Sequence, residues 1–205
     1  MNPKLITTLD IVPIISLVDC RLHLRIDTVD DSPDTHPDDE LVLALLAAAR
    51  EWVEGYTGLA LTPRTLELGL DRFPANEILL PTPPTISVES VKYFDTAGDE
   101  QTITSTDYVL DDYQRPGWIL PAEGYVWPTT KEVVNAVTIR YEVGYASRLD
   151  SPQVLPLPAS LRAAVLLILG SLYENRENTA PITITDVPLG AKSLCDWLKV
   201  RTGMA

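Results

Sequence analysis

Acidic doublets are the first feature of this chain that could carry chemistry: Asp30 with Asp31, Asp38 with Asp39, and Asp111 with Asp112. General acid–base work needs two carboxylates held across a substrate, one with a raised pKa, and adjacency in sequence does not provide that arrangement. With 29 acids in 205 residues, such doublets arise from composition alone. The stretch "DTVDDSPDTHPDDE", from Asp27 to Glu40, offers closely spaced oxygen ligands of the kind calcium takes. It lacks the glycine at the sixth place and the glutamate at the twelfth that an EF-hand loop uses, and it reads as a solvated acidic loop.

The other reactive types are few. His23 lies between Leu22 and Leu24 and reads as a packing histidine, while His36 precedes Pro37 and reads as a helix-start residue. Cys20 and Cys195 are the only cysteines; with two histidines they form neither a metal-ligand spacing nor a disulfide framework. Both are expected to be buried small side chains in a reducing compartment. There is no GxSxG elbow, phosphate loop, GxGxxG turn or HExxH helix. No catalytic, cofactor-binding or metal-binding residue is therefore assigned. Aromatics remain: Trp118, Trp127 and Tyr125 could form a platform for a carbohydrate or peptide, with core or hairpin packing as the plainer expectation. A hydrolase built on Asp111 or Asp112 ranks behind both.

Composition narrows the field. At 45% hydrophobic and 22% charged residues the chain can build one good core, or two small subdomains. Its formal net charge of -13, with 16 scattered lysines and arginines, argues against a general nucleic-acid-binding surface. The opening stretch "MNPKLITTLDIVPIISLVD" is broken by Asp10 and Pro13 and shows no cleavage site, so neither a secretion signal nor a membrane span is expected there.

Periodicity then places the elements. "SLVDCRLHLRID" predicts a short helix capped by Ser16, with Asp19 and Arg25 facing water. "HPDDELVLALLAAAREWVEGYTG" predicts a long one, with Pro37 and three acids at its start and Gly55 and Gly58 at its end. It carries two adjacent apolar stripes, Leu41, Leu45, Ala48, Trp52 and Tyr56 beside Val42, Leu46, Ala49 and Val53, so burial over more than one face is expected. From Pro63 to about Tyr145 the period becomes two, in "TLELGLD", "ISVESVKYF", "QTIT", "DYVLD", "GWILP" and "VTIRYEV". That predicts an antiparallel β module, a small sandwich or open barrel.

After a proline-punctuated connection comes "LRAAVLLILGSLYENRENT", uncharged between Arg162 and Glu174, with apolar residues on every side of a helix. The tail runs through "TAPITITDVPLG", read as extended or mobile, into an amphipathic "AKSLCDWLKVR". The fold class is thus α+β: a helical core of about four helices with an inserted antiparallel β module. Residues 1–62 form the N-terminal helical part, 63–147 the β module, 148–180 the core helix, and 181–205 the tail with its last helix. Covering an all-round apolar helix calls for self-association, because each exposed Leu or Val forgoes roughly 1.5 to 3 kcal/mol of burial. The surface expected to meet a neighbouring subunit or partner comprises Val165, Ile168, Leu169 and Leu172 on the core helix, with Leu194, Trp197 and Leu198 on the last.

The order of the segments "ISLVDCRLHLRID", "LLAAAREWVEGYTGLAL", "LDRFP", "ILLPTPP", "VTIRYEVGY", "LRAAVLLILGSLYENRE" and "VPLGAKSLCDWLKVR" resembles the head-tail connector (adaptor) proteins of tailed bacteriophages and prophages, in their longer form with an inserted β module. The long acidic insert after Ile26 departs from that pattern. The resemblance implies a structural virion protein without enzyme activity or cofactor. It implies a homo-oligomeric ring, commonly dodecameric, in the neck between head and tail, assembled in the host cytoplasm. Its partners would be the portal protein and a tail-completion protein, with DNA passing through the ring unread and no membrane involved.

Overall fold

The computed structural model describes residues 4–8, 14–26, 35–145, 155–175 and 188–200. The chain divides into two compact units, one formed by Met1–Ile11 with Thr62–Leu155 and the other by Val12–Leu61 with Pro156–Ala205.

In the helical unit, α1 (Leu17–Leu24) starts where the Ser16 hydroxyl accepts the Asp19 N–H at 3.1 Å. It stops at Arg25, whose left-handed backbone (φ 55°) turns its N–H back onto the last carbonyls. The long helix α2 (Asp39–Thr57) ends at Gly58, which has φ 74°. Its buried residues are Val42, Leu46, Ala49, Val53 and Thr57, one stripe at three- and four-residue spacing. The second apolar stripe, expected to be buried as well, stays half-exposed at Leu41, Leu45, Trp52 and Tyr56 and exposed at Ala48. Helix α3 (Ala159–Glu174) follows Pro158 and packs against α2, while α4 (Leu189–Asp196) follows Pro188 and packs against α3.

The start of α2 fastens this unit. The Asp39 carboxylate takes the Arg21 guanidinium from α1, with Nε to Oδ1 at 2.8 Å and a second, closer contact between Nη2 and Oδ2. It also accepts the His36 N–H at 2.7 Å. Its neighbour Asp38 accepts the Tyr173 hydroxyl from the end of α3. On the other side, Arg162 of α3 reaches Asp19 of α1 at 2.8 Å. One doublet of adjacent acids thus ties two helices to a third.

The β unit contains two antiparallel sheets. Five strands run in the order β1 (Lys4–Thr8), β2 (Arg64–Leu70), β8 (Val137–Val143), β4 (Thr85–Phe94) and β5 (Glu100–Ile103). Three more run in the order β3 (Ile78–Leu80), β7 (Gly117–Pro121) and β6 (Tyr108–Asp111). The central β8 is the clearest case of period two: Val137, Ile139, Tyr141 and Val143 are all fully buried, and the first three pair with Leu70, Leu68 and Leu66 across the ladder. The Tyr141 hydroxyl donates to the Pro81 carbonyl at 2.9 Å, tying the large sheet to the chain leaving β3. Gly144 ends β8 at φ 124°, where a Cβ would stand 2.4 Å from the Thr62 carbonyl oxygen, so only glycine fits. Strand β1 has no counterpart in the sequence reading, which assigned no regular element to the opening residues.

The fold has a pH signature at the α2 start. The hydrogen bonds from Arg21 first, and the His36 N–H after it, hold the Asp39 carboxyl below the usual carboxylate range. Its folded value lies under its unfolded one, near 3.9, so its contribution is complete above about pH 5 and is lost as pH falls through the folded value. D39N should therefore flatten the fall of the urea midpoint between about pH 5 and pH 2. An acid limb as steep as wild type would assign that loss to other carboxylates.

Candidate functional site

The structure sorts the seven residues expected at an interface into three groups. Val165 and Leu169 are fully buried and Ile168 is 4% exposed, covered within their own helical unit. Leu172 is 37% exposed, Leu194 and Leu198 are half-buried, and Trp197 is 86% exposed. Helix α4 does not wait for a partner to gain a core: Ala191 and Cys195 are fully buried, and the Val200 N–H donates to the Thr57 carbonyl at 2.8 Å. The Tyr56 hydroxyl donates to Asp196 at 2.7 Å, and the Lys199 ammonium lies 4.3 Å over the Tyr56 ring, which itself stacks on Trp52 at 5.0 Å.

What the helical unit leaves in water is a different apolar set. On α1, Val18 and Leu22 are 71% and 77% exposed, one turn apart on the same face. On α2 the outward residues Leu43, Ala44, Ala47 and Ala48 carry no charge. The sequence expectation for α1 names only Asp19 and Arg25 as facing water; Val18 and Leu22 join them. The signal was present: with Arg21 turned inward to Asp39, the four-residue spacing of Val18 and Leu22 leaves them on the outside.

In the β unit the aromatic platform separates. Trp118 donates its indole N–H to Asp111 at 2.8 Å across the β6–β7 ladder, so these two groups satisfy each other. Tyr125 and Trp127 come together with Phe73: Trp127 stacks on Phe73 at 5.0 Å and 4°, and Tyr125 meets Trp127 edge-on at 6.2 Å. The Trp127 indole N–H donates to the Asn76 carbonyl at 3.1 Å. These rings floor an open groove of about 960 Å³, whose walls include the exposed Val126, Val133 and Val134 and whose rim carries Arg72 and Lys131.

The remaining reactive groups are accounted for structurally. His36 Nδ1 accepts the Asp38 N–H at 3.1 Å, at the helix start as expected. His23 is exposed rather than packed in a core, lying beside Gly170 on α3. Cys20 and Cys195 are both fully buried, and burial pushes each thiol up to about 11. The part of the acidic loop that follows Ile26, residues 27–34, lies outside the described residues. Among the described residues no three His, Cys, Asp or Glu side chains are grouped so as to hold a metal ion, and no helix is long and apolar enough to cross a membrane.

No protein-family model matches the chain, and no curated protein matches it. Solved structures do. A chain in the neck of an empty gene transfer agent (GTA) particle, computed with C6 symmetry, superimposes with a TM-score of 0.77 at 24% identity, over 100% of this chain and 98% of that one. A chain in the virion of the native GTA particle gives 0.76 at 24% identity, and one in the native neck computed with C12 symmetry gives 0.75 at 22%, each with the same coverage. The shared fold therefore spans the β module and the helical core alike.

Two outcomes follow from this burial pattern. L169A should destabilise the helical unit by about 2 to 5 kcal/mol in urea titration, as a cavity in a closed site does, whereas W197A should shift it by less than about 0.5 kcal/mol. Equal effects would contradict the placement of α3. The two thiols should resist alkylation by iodoacetamide at pH 8 in the native chain and react fully in urea; rapid native labelling of either would show that its site opens.

Proposed function

We propose that this chain is a structural component of the neck of a phage-like particle, a connector that assembles as a ring between portal and tail. The observation that carries this reading is the full-length likeness of fold to chains in GTA necks and virions, at TM-scores of 0.75 to 0.77. The sixfold and twelvefold symmetries applied to those necks favour a ring of this chain, with twelve subunits the leading number. Its role is assembly rather than catalysis. One face of the ring would dock on the portal protein and the other would receive a tail-completion protein.

Physical features agree with this role. A heterologous ring joins unlike patches of neighbouring subunits and closes when their rotation adds to a full turn. Val18 and Leu22 on α1 and the half-exposed stripe of α2 give the helical unit apolar surface for such contacts. A net charge of -13 suits a channel through which DNA passes without adhering, since like charge repels phosphate. A second reading, a carbohydrate- or peptide-binding β module, keeps Tyr125 and Trp127 but loses Trp118 to its bond with Asp111.

Native mass spectrometry at high protein concentration, followed by electron microscopy, tests the leading reading. Closed rings of about twelve subunits are expected, and V18D/L22D should reduce their yield at least tenfold. A chain that stays monomeric at high concentration and forms no ring on purified portal would overturn it. Glycan binding abolished by W127A would support the second reading instead.

A further inference from the structure

Among the described residues nothing fills the aromatic groove of the β unit. Phe73, Tyr125 and Trp127 fix a rigid floor, while Val126 and Val134 above it remain 82% and 77% exposed. Rigid aromatic floors with apolar walls hold extended peptide. Charge narrows the choice. Arg72 and Lys131 line the groove with no ion pair among the described residues, beside Asp71, which accepts the Asn135 N–H at 2.9 Å, and Glu132. The patch is neutral on a chain of net charge -13, so an acidic segment of the same protein meets no repulsion there.

Such a segment lies between α3 and α4. A Cβ on Gly190 would stand 3.7 Å from Leu167 Cδ1, so α4 begins beside Leu167, about two turns before α3 ends at Glu174. That gap is roughly 11 Å along the helix axis, at 1.5 Å per residue. Extended chain covers about 3.3 Å per residue, so some four residues would bridge it. The sequence provides twelve, "RENTAPITITDV", residues 176–187. Its second half, Pro181 to Val187, alternates Ile182 and Ile184 with Thr183 and Thr185, carries one acid, Asp186, and has no lysine or arginine.

We propose that in the assembled ring Pro181–Val187 of one subunit occupies the groove of a second copy, with Ile182 and Ile184 toward Val126 and Val134 and Asp186 toward Arg72 or Lys131. This rests on the ring reading above. A heterologous ring needs two unlike patches on every subunit, and a segment of one copy seated in a groove of the next would be such a pair. A short tethered peptide binds weakly alone; repeated around a closed ring, each contact is made at high effective concentration.

The experiment is an engineered cross-link in the full-length chain. V134C combined with I184C, under mild oxidation, should give a ladder of covalent multimers on a non-reducing gel, and neither single variant should. The native cysteines do not compete, because Cys20 and Cys195 are fully buried. R72E should lower the ring fraction at least fivefold, and the added D186R should recover most of it; I184D should lower it similarly. Cross-linked monomer alone would place the segment in its own subunit and overturn the proposal. So would rings unaffected by I184D, and if V134D then still blocked incorporation into particles, the groove would belong to a different protein. A wild-type chain that never forms rings removes the ring reading itself, whereas intact rings without the cross-link remove only this inference.

Discussion

Helix α3 has no polar face, and the helical unit is organised around that fact. Between Arg162 and Glu174 the helix carries no charge and its only polar side chains are Ser171 and Tyr173 near its end, so stability requires neighbours on more than one side. Helix α2 comes from before the β module in the chain and α4 from the end, and both lie against α3. The β module is accommodated between α2 and α3 in sequence without interrupting that packing, since the helical unit is assembled from both flanks of it. Deep burial of Leu161, Ala164, Val165 and Leu169 is the result.

Polar groups at the start of α2 then fix which helix goes where. Apolar stripes are adhesive but tolerant of sliding, whereas a bidentate arginine–carboxylate pair accepts one geometry. Asp39 with Arg21, Asp38 with Tyr173, and Asp19 with Arg162 connect the three helices pairwise. The acidic doublet that looked like possible chemistry is therefore a structural clasp. Its two carboxylates point to different partners, the opposite of what a shared proton or a shared metal ion requires. Asp111 takes a similar path, satisfied by the indole of Trp118 opposite it on the neighbouring strand.

The proposed assembly role would place function on surfaces rather than in a pocket of reactive groups. Here the buried thiols are protonated and enclosed, and the histidines lie at a helix start and beside a helix. What stays available is apolar: Val18 and Leu22, the outer stripe of α2, and the valines around the Phe73–Trp127 stack. Apolar surface left in water by a folded unit is the physical mark of a contact still to be made. On a chain this acidic, contacts between identical copies are favoured where charge is sparse, as along Leu43, Ala44, Ala47 and Ala48 of α2, or balanced, as around the groove with Asp71, Arg72, Lys131 and Glu132.

Apart from β1, local structure is legible in the amino-acid sequence. Period two in β8, the cap at Ser16, the stop at Gly58 and the uncharged run of α3 are written in residue type and spacing, because backbone geometry reads them over a few positions. The α+β class followed from their order. Tertiary structure decided which apolar faces meet. Val165, Ile168 and Leu169 looked like interface residues because a list of apolar positions does not say that α2 and α4 arrive from distant parts of the chain to cover them. Conversely, Val18 and Leu22 looked ordinary until Arg21 turned inward to Asp39, eighteen residues away. The groove needed two loops, one after β2 and one before β8, to bring Phe73 together with Tyr125 and Trp127. Burial is a property of pairs of elements, and pairing across long separations leaves little trace in any one segment.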